Sequence, residues 1–145
     1  MAITSAICDS FKSELLEAQH DFSSGTAQTF KMALYTSSAT LGASTTTYSA
    51  TNEITNTSGT AYVAGGTALT PTAPSVASNT AFIDFTDASW ASATFTANGA
   101  LIYNDKATDQ AIMVIAFGGD KSVSNGTFTV TMPTADASNA ILRLA

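Results

Sequence analysis

Few side chains in this chain of 145 residues could do chemistry. One histidine, His20, and one cysteine, Cys8, are present, and both lie in the same N-terminal segment. A histidine that acts as a general base needs a nucleophile and an orienting acid, and the sequence places neither beside His20. No lysine or histidine directly adjoins Cys8 to activate its thiol. We therefore predict no catalytic residue; we expect His20 to sit at a helix end and Cys8 to act as a small buried apolar group.

Metal and cofactor sites are also not indicated. A lone cysteine excludes an intrachain disulfide and a cysteine-based metal cluster. The glycine pairs Gly65-Gly66 and Gly118-Gly119 do not open a helix, so they do not indicate a phosphate site. Several aspartates fall at strand ends or in loops, but without the Asp-x-Asp-x-Asp-Gly spacing of a calcium loop; they are Asp84, Asp87, Asp105, Asp109 and Asp120. We expect turn-forming aspartates, and no metal, cofactor or small-molecule substrate.

The aromatic side chains allow two interpretations. Trp90, Tyr48, Tyr62 and Tyr103 would form a sugar-binding platform if they were exposed together on one face. A single tryptophan in an apolar β domain more often belongs to the core. The sequence favours the core and leaves the platform as an alternative.

Composition narrows the classes of partner. Hydrophobic residues make up 45% of the chain and charged residues 11%, against about 25% charged in an ordinary soluble protein. Five basic against eleven acidic residues give a net charge of −6, so no basic face is expected to bind nucleic acid. The longest apolar run, 111–117, is far shorter than the roughly 20 residues of a membrane span. The N-terminus also lacks the basic region of a signal peptide.

One helix would carry the histidine and the cysteine. Ile7, Phe11, Leu15 and Ala18 recur at spacings of four, four and three, which predicts a helix over 5–22. Ser23-Ser24-Gly25 would end it.

Period-two alternation follows and predicts short strands. We expect strands at 29–36, 61–63, 67–70, 80–86, 93–97 and 100–103, a central strand at 111–117, and strands at 127–132 and 140–144. Asn98-Gly99 predicts a tight hairpin turn, Gly118-Gly119 the end of the central strand, and Asn125-Gly126 another turn. The fold class is therefore mainly β: one domain, 1–145, forming an antiparallel β-sandwich or barrel with one N-terminal α-helix.

A long Ser/Thr-rich stretch, 37–59, separates the first strand from the rest. It holds only Leu41, Tyr48 and Ile54 as sizeable apolar groups. Loops of this length are usually functional or flexible.

Three segments together resemble a family of small virion structural proteins of tailed bacteriophages. They are Phe30-Lys31-Met32-Ala33-Leu34-Tyr35-Thr36, Gly99-Ala100-Leu101-Ile102-Tyr103-Asn104, and Phe128 to Pro133 followed by Ala135 to Ile141. The likeness extends over nearly the whole chain, including Phe11-Lys12 and Glu14-Leu15-Leu16.

The resemblance implies a non-enzymatic β domain, made in the host cytoplasm and located on the capsid surface as a cement or decoration protein. Its implied partners are the major capsid protein and copies of itself, as a trimer. We expect docking through the helix and the long loop, by Phe11, Leu15, Leu41, Tyr48 and Ile54. The alternatives are a tail, fibre or baseplate component, or a carbohydrate- or receptor-binding module. An esterase-like enzyme is disfavoured, because the chain has neither a Gly-x-Ser-x-Gly motif nor a second histidine.

Overall fold

The computed structural model describes residues 2–23, 25, 28–55, 61–106 and 108–145. It is mainly β, with 48% of residues in strands and 6% in helix, and two antiparallel sheets pack as a sandwich. This confirms the predicted fold class. The elements are β1 (Ala6–Ile7), α1 (Asp9–Leu16), β2 (Phe30–Tyr35), β3 (Thr67–Leu69), β4 (Ser75–Ala77), β5 (Thr80–Ile83), β6 (Ala88–Asn104), β7 (Gln110–Val130) and β8 (Leu142–Leu144).

The larger sheet has the strand order β1-β7-β6-β2-β3 and the smaller one β4-β5-β8. Phe85, which follows β5, links them: its ring centroid lies 5.8 Å from that of Phe30 and 6.2 Å from that of Phe22. These three rings therefore form part of the interior between the sheets.

Strand β2 confirms the prediction at 29–36. Five of its six residues are buried and Lys31 is half-buried, so both faces are covered rather than one. β2 pairs with β6 on one side and β3 on the other. A Cβ atom at Gly66, just before β3, would lie 1.8 Å from the carbonyl oxygen of Met32. Glycine is thus required for β3 to reach β2.

Strands β6 and β7 form a two-stranded ribbon much longer than any strand predicted. They pair antiparallel from Asn104–Gln110, next to their connection, out to Ala88–Val130. The ring centroids of Phe117 and Phe128 are 6.1 Å apart, although eleven residues of straight strand would span about 36 Å. The ribbon therefore folds back on itself, so its two halves face each other.

The corner of the ribbon lies at Gly118-Gly119. Pairing moves from Gly99–Ala116 to Ala97–Lys121, so β7 takes five steps where β6 takes two. Gly118 and Gly119 have positive φ angles of 73° and 143°, which glycine adopts without steric cost.

Two predicted turns and one predicted strand end are wrong, because the ribbon continues through all three positions. Asn98-Gly99, Gly118-Gly119 and Asn125-Gly126 all lie inside the ribbon, at or next to its register shifts. Asn125 has a φ of 48°, and residues of this kind serve β-bulges as readily as turns. The separate strands predicted at 93–97, 100–103, 111–117 and 127–132 are parts of β6 and β7.

The predicted helix 5–22 is also too long. Ala6–Ile7 pair with Met113 and Val114 as β1, so α1 begins at Asp9. It ends after Leu16, where Ala18 takes a positive φ of 58°. The N–H groups of Gln19 and Ala18 bond to the carbonyls of Glu14 and Leu15, which is the Schellman pattern of a helix C-terminus. Ala18 thus occupies a position that usually holds glycine, and Ser23-Ser24-Gly25 does not end the helix.

Smaller differences concern the remaining strands. Residues 61–63 form no strand, β5 ends at Ile83, and β8 starts at Leu142. Strand β4 was not predicted. It pairs with β5 through the two-residue connection Ser78-Asn79, where both φ angles are positive, 49° and 62°, as in the tight hairpin turn that matches strand twist.

Candidate functional site

A buried polar cluster surrounds the carboxylate of Glu53, which is 5% exposed. Its Oε1 accepts hydrogen bonds from the Tyr62 hydroxyl at 2.6 Å and the Gly65 N–H at 2.7 Å. Its Oε2 accepts one from the Tyr48 hydroxyl at 2.6 Å. The Tyr62 hydroxyl in turn accepts the N–H of Leu34 in β2. Both carboxylate oxygens are therefore occupied by the chain itself.

The surroundings keep these tyrosines protonated. Desolvation is the main cause that raises the pKa of Tyr62, and its hydrogen bond to Glu53 raises it further. The pKa of Tyr48 is raised by the same two causes in the same order. The hydroxyls of Tyr48 and Tyr62 donate to the Glu53 carboxylate, and the Tyr62 hydroxyl also accepts from Leu34 of β2. These bonds hold residues 48–55 and 61–65 against β2. The contacts of this cluster stabilise the fold.

His20 and its neighbours form a second buried polar cluster. The imidazole Nε2 lies 2.9 Å from Glu14 Oε2, and the Nδ1 lies 3.2 Å from Asn104 Nδ2. The ring packs against Phe11, with centroids 4.9 Å apart, and lies 6.3 Å from Phe22. The prediction that His20 sits at the end of a helix over 5–22 is wrong in its placement, because α1 ends at Leu16 and His20 follows it in the chain. The partners of His20 are a carboxylate, an amide and two aromatic rings.

Cys8 precedes α1 and is fully buried. Burial, with the nearby carboxylates of Asp9 and Glu14, raises the pKa of its thiol to about 11. The side chain is therefore protonated at neutral pH, which makes it a poor nucleophile.

The aspartates act largely through backbone groups and neighbouring side chains. Asp84 is 1% exposed, accepts the N–H groups of Phe85 and Ile141, and burial raises its pKa. Asp87 accepts the N–H of Met132, so both tie strand ends together. Within the described ranges, no group of three or more His, Cys, Asp or Glu side chains could hold a metal ion.

The four aromatic residues considered for a sugar platform do not form one. Trp90, Tyr62 and Tyr103 are at most 5% exposed, and Tyr48 is half-buried, stacked on Tyr103 with centroids 4.7 Å apart. They belong to the core, as the favoured interpretation predicted.

The five predicted docking residues are placed mostly inward. Phe11 and Ile54 are 1% and 5% exposed, while Leu15, Leu41 and Tyr48 are half-buried and pack against the core. These apolar side chains lie in otherwise polar segments, and they hold those segments against the sandwich. Phe11 and Ile54 therefore offer no surface to a partner.

The described part of the loop, 37–55, follows the body of the domain closely. Leu41 bridges to Ile3, Thr47 to Gln110 and Glu53 to Tyr35, and the Ile54 N–H bonds to the carbonyl of Leu34. Residues 56–59 of the predicted loop lie outside the described residues. The described portion is a tethered segment rather than a projecting arm.

An exposed surface that the sequence analysis did not single out lies on the outer half of the ribbon, meaning residues 88–97 of β6 and 121–130 of β7. We call its exposed hydroxyl side chains the hydroxyl surface; they are Ser89, Ser92, Thr94, Thr96, Ser122, Ser124, Thr127 and Thr129. Two hydroxyl pairs cross the strands, Thr96–Ser122 at 2.7 Å and Ser89–Thr129 at 3.2 Å. In the sequence, the recurrence of Ser and Thr at alternate positions is the pattern that indicates this surface.

This surface is almost uncharged. Residues 88–97 and 122–130 contain no charged side chain, and Asp120 and Lys121 stand together at the corner. The opposite face carries Trp90, Phe95 and Phe128, whose ring centroids lie 4.9–6.4 Å apart. The outer half is thus apolar toward the protein and hydroxyl-bearing toward solvent.

A small apolar groove of about 140 Å³ opens between α1 and the smaller sheet, lined by Leu15, Phe22, Ile83, Leu142 and Leu144, among others. Leu144 in its lining is 56% exposed, and Leu16, the residue after Leu15, is 90% exposed. Across the part of the chain that is described, no helix is long and apolar enough to span a bilayer.

Comparisons with family models, with curated proteins and with solved structures find no match to this chain.

Proposed function

We propose that this chain is a non-enzymatic structural protein of a tailed-phage virion, of the cement or decoration type, which bridges major capsid subunits from outside the head. The hydroxyl surface is the observation that carries the proposal. The resemblance in sequence supports a location on a virion, and the hydroxyl surface supports contact with coat subunits.

An uncharged contact surface loses less free energy when it is desolvated than a charged one does. Bringing ionised groups into an interface costs several kcal/mol per ion unless they are well paired. Serine and threonine hydroxyls exchange water for partner groups at little net cost and leave methyl and methylene groups to pack. A subunit present in many copies therefore gains a contact surface that stays soluble before assembly.

The contact residues differ from those expected from sequence. Because Phe11 and Ile54 are buried, the proposed interface consists of the hydroxyl surface rather than those side chains. Each contact of this kind is weak, and a trimer that touches several capsid subunits gains strength from repetition.

Electron cryo-microscopy of purified particles that contain this chain tests the location. We expect density for the protein at symmetry-related positions on the outer surface of the head, with residues 88–97 and 121–130 against the coat. Density confined to the tail, fibre or baseplate would replace the cement role with the tail alternative.

A matched pair of lysine variants tests the surface. Thr127→Lys adds a charge to the hydroxyl surface, whereas Thr134→Lys adds it at an exposed threonine after β7 has ended. We expect Thr127→Lys to lower occupancy on particles at least tenfold and Thr134→Lys to leave it unchanged, with both proteins folded by circular dichroism. Equal occupancy of the two variants would remove the surface from the interface.

A further inference from the structure

We infer that His20 is a pH-sensitive clasp, which in its neutral form fastens the segment after α1 to the end of β6 and which opens on the Asn104 side when the ring is protonated. The inference is independent of the proposed function. It rests on the direction of the hydrogen bonds around the ring.

The amide of Asn104 has a fixed orientation. Its Oδ1 accepts the N–H of Lys106 at 3.2 Å, and its Nδ2 donates to Gln28 Oε1 at 2.8 Å. The same Gln28 oxygen accepts the N–H of Asp21, and the Gln28 Nε2 donates to the carbonyl of Gln19. Each oxygen faces donors and each NH₂ faces an acceptor, so neither amide can be reversed without losing bonds.

The orientation of Asn104 fixes the tautomer of His20. Because Asn104 presents an N–H toward Nδ1, that nitrogen must be an unprotonated acceptor. The ring proton then resides on Nε2, which donates to the carboxylate of Glu14. The side chain of His20 has no solvent exposure and that of Glu14 has 15%, so water does not replace these partners.

Protonation breaks one side of this arrangement. The imidazolium carries hydrogen on both nitrogens, so its Nδ1–H would point at the N–H of Asn104. Glu14 attracts the imidazolium, so the ring keeps its contact with α1. On the other side, either the ring moves away from Asn104, or the Asn104 amide turns to offer Oδ1 to Nδ1–H and gives up its bond to Gln28. Both outcomes remove a hydrogen bond between β6 and the chain that follows α1.

The other charged groups nearby are directed elsewhere. Glu17 accepts from the side chain of Gln19, and Asp21 accepts from Ser23. On the β6–β7 connection and β2, Asp105 pairs with Lys31 at 2.8 Å. Lys106 meets Asn104 through its backbone N–H, while its ammonium acts on Asp21. Among the described residues, Glu14 is the charged group that hydrogen-bonds to the ring.

Nuclear magnetic resonance can test the clasp directly, because the chain has one histidine. While the ring is neutral, we expect the ¹⁵N shifts of the Nε2–H tautomer. Once acid has brought the ¹⁵N shifts to those of the doubly protonated ring, we expect amide exchange of residues 19–23, corrected for the intrinsic pH effect, to be at least tenfold faster. The Nδ1–H tautomer in the neutral ring, or unchanged exchange, would overturn the inference.

Two variants separate His20 from other titrating groups. His20→Gln can donate to Glu14 and accept from Asn104 without titrating, so its exchange should not respond to acid. Asn104→Asp removes the NH₂ that faces both Nδ1 and Gln28 Oε1, so exchange of residues 19–23 should already be fast before acid is added and the further acceleration should vanish. If His20→Gln responds to acid as the unaltered protein does, another group opens the segment and the clasp is refuted.

Discussion

The two halves of the β6–β7 ribbon use the same hairpin for different purposes. The inner half, residues 99–104 and 110–116, lies between β1 and β2, and most of its side chains are buried. In the outer half, no further strand pairs with the ribbon among the described residues, and apolar positions that are buried or half-buried alternate with exposed hydroxyls. A single long hairpin can thus supply the core at one end and a surface at the other, with a glycine corner between them.

The largest effect should come from the inner half. Leu101 is completely buried, so Leu101→Ala should lower the free energy of unfolding by about 3 kcal/mol, from lost burial and the cavity left behind. Denaturant titration measures this. A loss below about 1 kcal/mol would show that the inner half is not the stabilising part.

The matching change in the outer half should cost less. Phe128 is partly exposed and packs against Trp90, Phe95 and Phe117. Phe128→Ala should cost about 2 kcal/mol, less than the usual loss for a fully buried phenylalanine. The same titration applies, and a cost above that of Leu101→Ala would reverse the comparison.

The corner can be tested with two glycines. Gly118→Ala should cost about 1 kcal/mol, because a Cβ at φ 73° is strained even though no atom lies within 4 Å of it. Gly126→Ala is the control, since its φ is not positive and its added Cβ would make an ordinary contact with Val123. Equal thermal shifts for the two variants would mean that the corner does not need glycine.

The smallest effect should fall on the hydroxyl surface. Ser122→Ala removes one exposed hydroxyl pair with Thr96 and should change the free energy of unfolding by less than about 0.5 kcal/mol. A loss above about 1 kcal/mol in a thermal melt would show that the pair supports the fold rather than leaving the surface free for contact.

The sequence predicted the parts of the fold where periodicity and burial agree. The alternation at 29–36 identified β2, and the apolar run at 111–117 identified the buried inner part of β7. Glycine and asparagine were misleading at three places in the ribbon. Asn98 lies at the register shift between Ala97 and Gly99 without a positive φ, whereas Gly118 and Asn125 have positive φ angles, which turns and bulges both require. Only pairing with a distant strand distinguishes the two, and that pairing is not local information.

The candidate site was harder to predict for a related reason. Phe11, Leu41 and Ile54 are apolar residues in polar segments, which is the pattern of an exposed contact and equally of an anchor. The structure shows Phe11 and Ile54 as anchors. A single threonine or serine in the sequence does not predict a contact surface. These residues of the outer half form a surface only when β6 and β7 pair.

The burial of Trp90 gives the outer half its own spectroscopic reporter. The chain has one tryptophan, and its indole lies against Tyr62, Phe95 and Phe128. Tryptophan fluorescence, excited selectively over the four tyrosines, therefore follows the surroundings of Trp90 in this half of the ribbon, while backbone circular dichroism follows the whole molecule. Coincident melting by the two signals would mean that surface and core unfold as one cooperative unit, and an earlier fluorescence transition would mean that the outer half opens first.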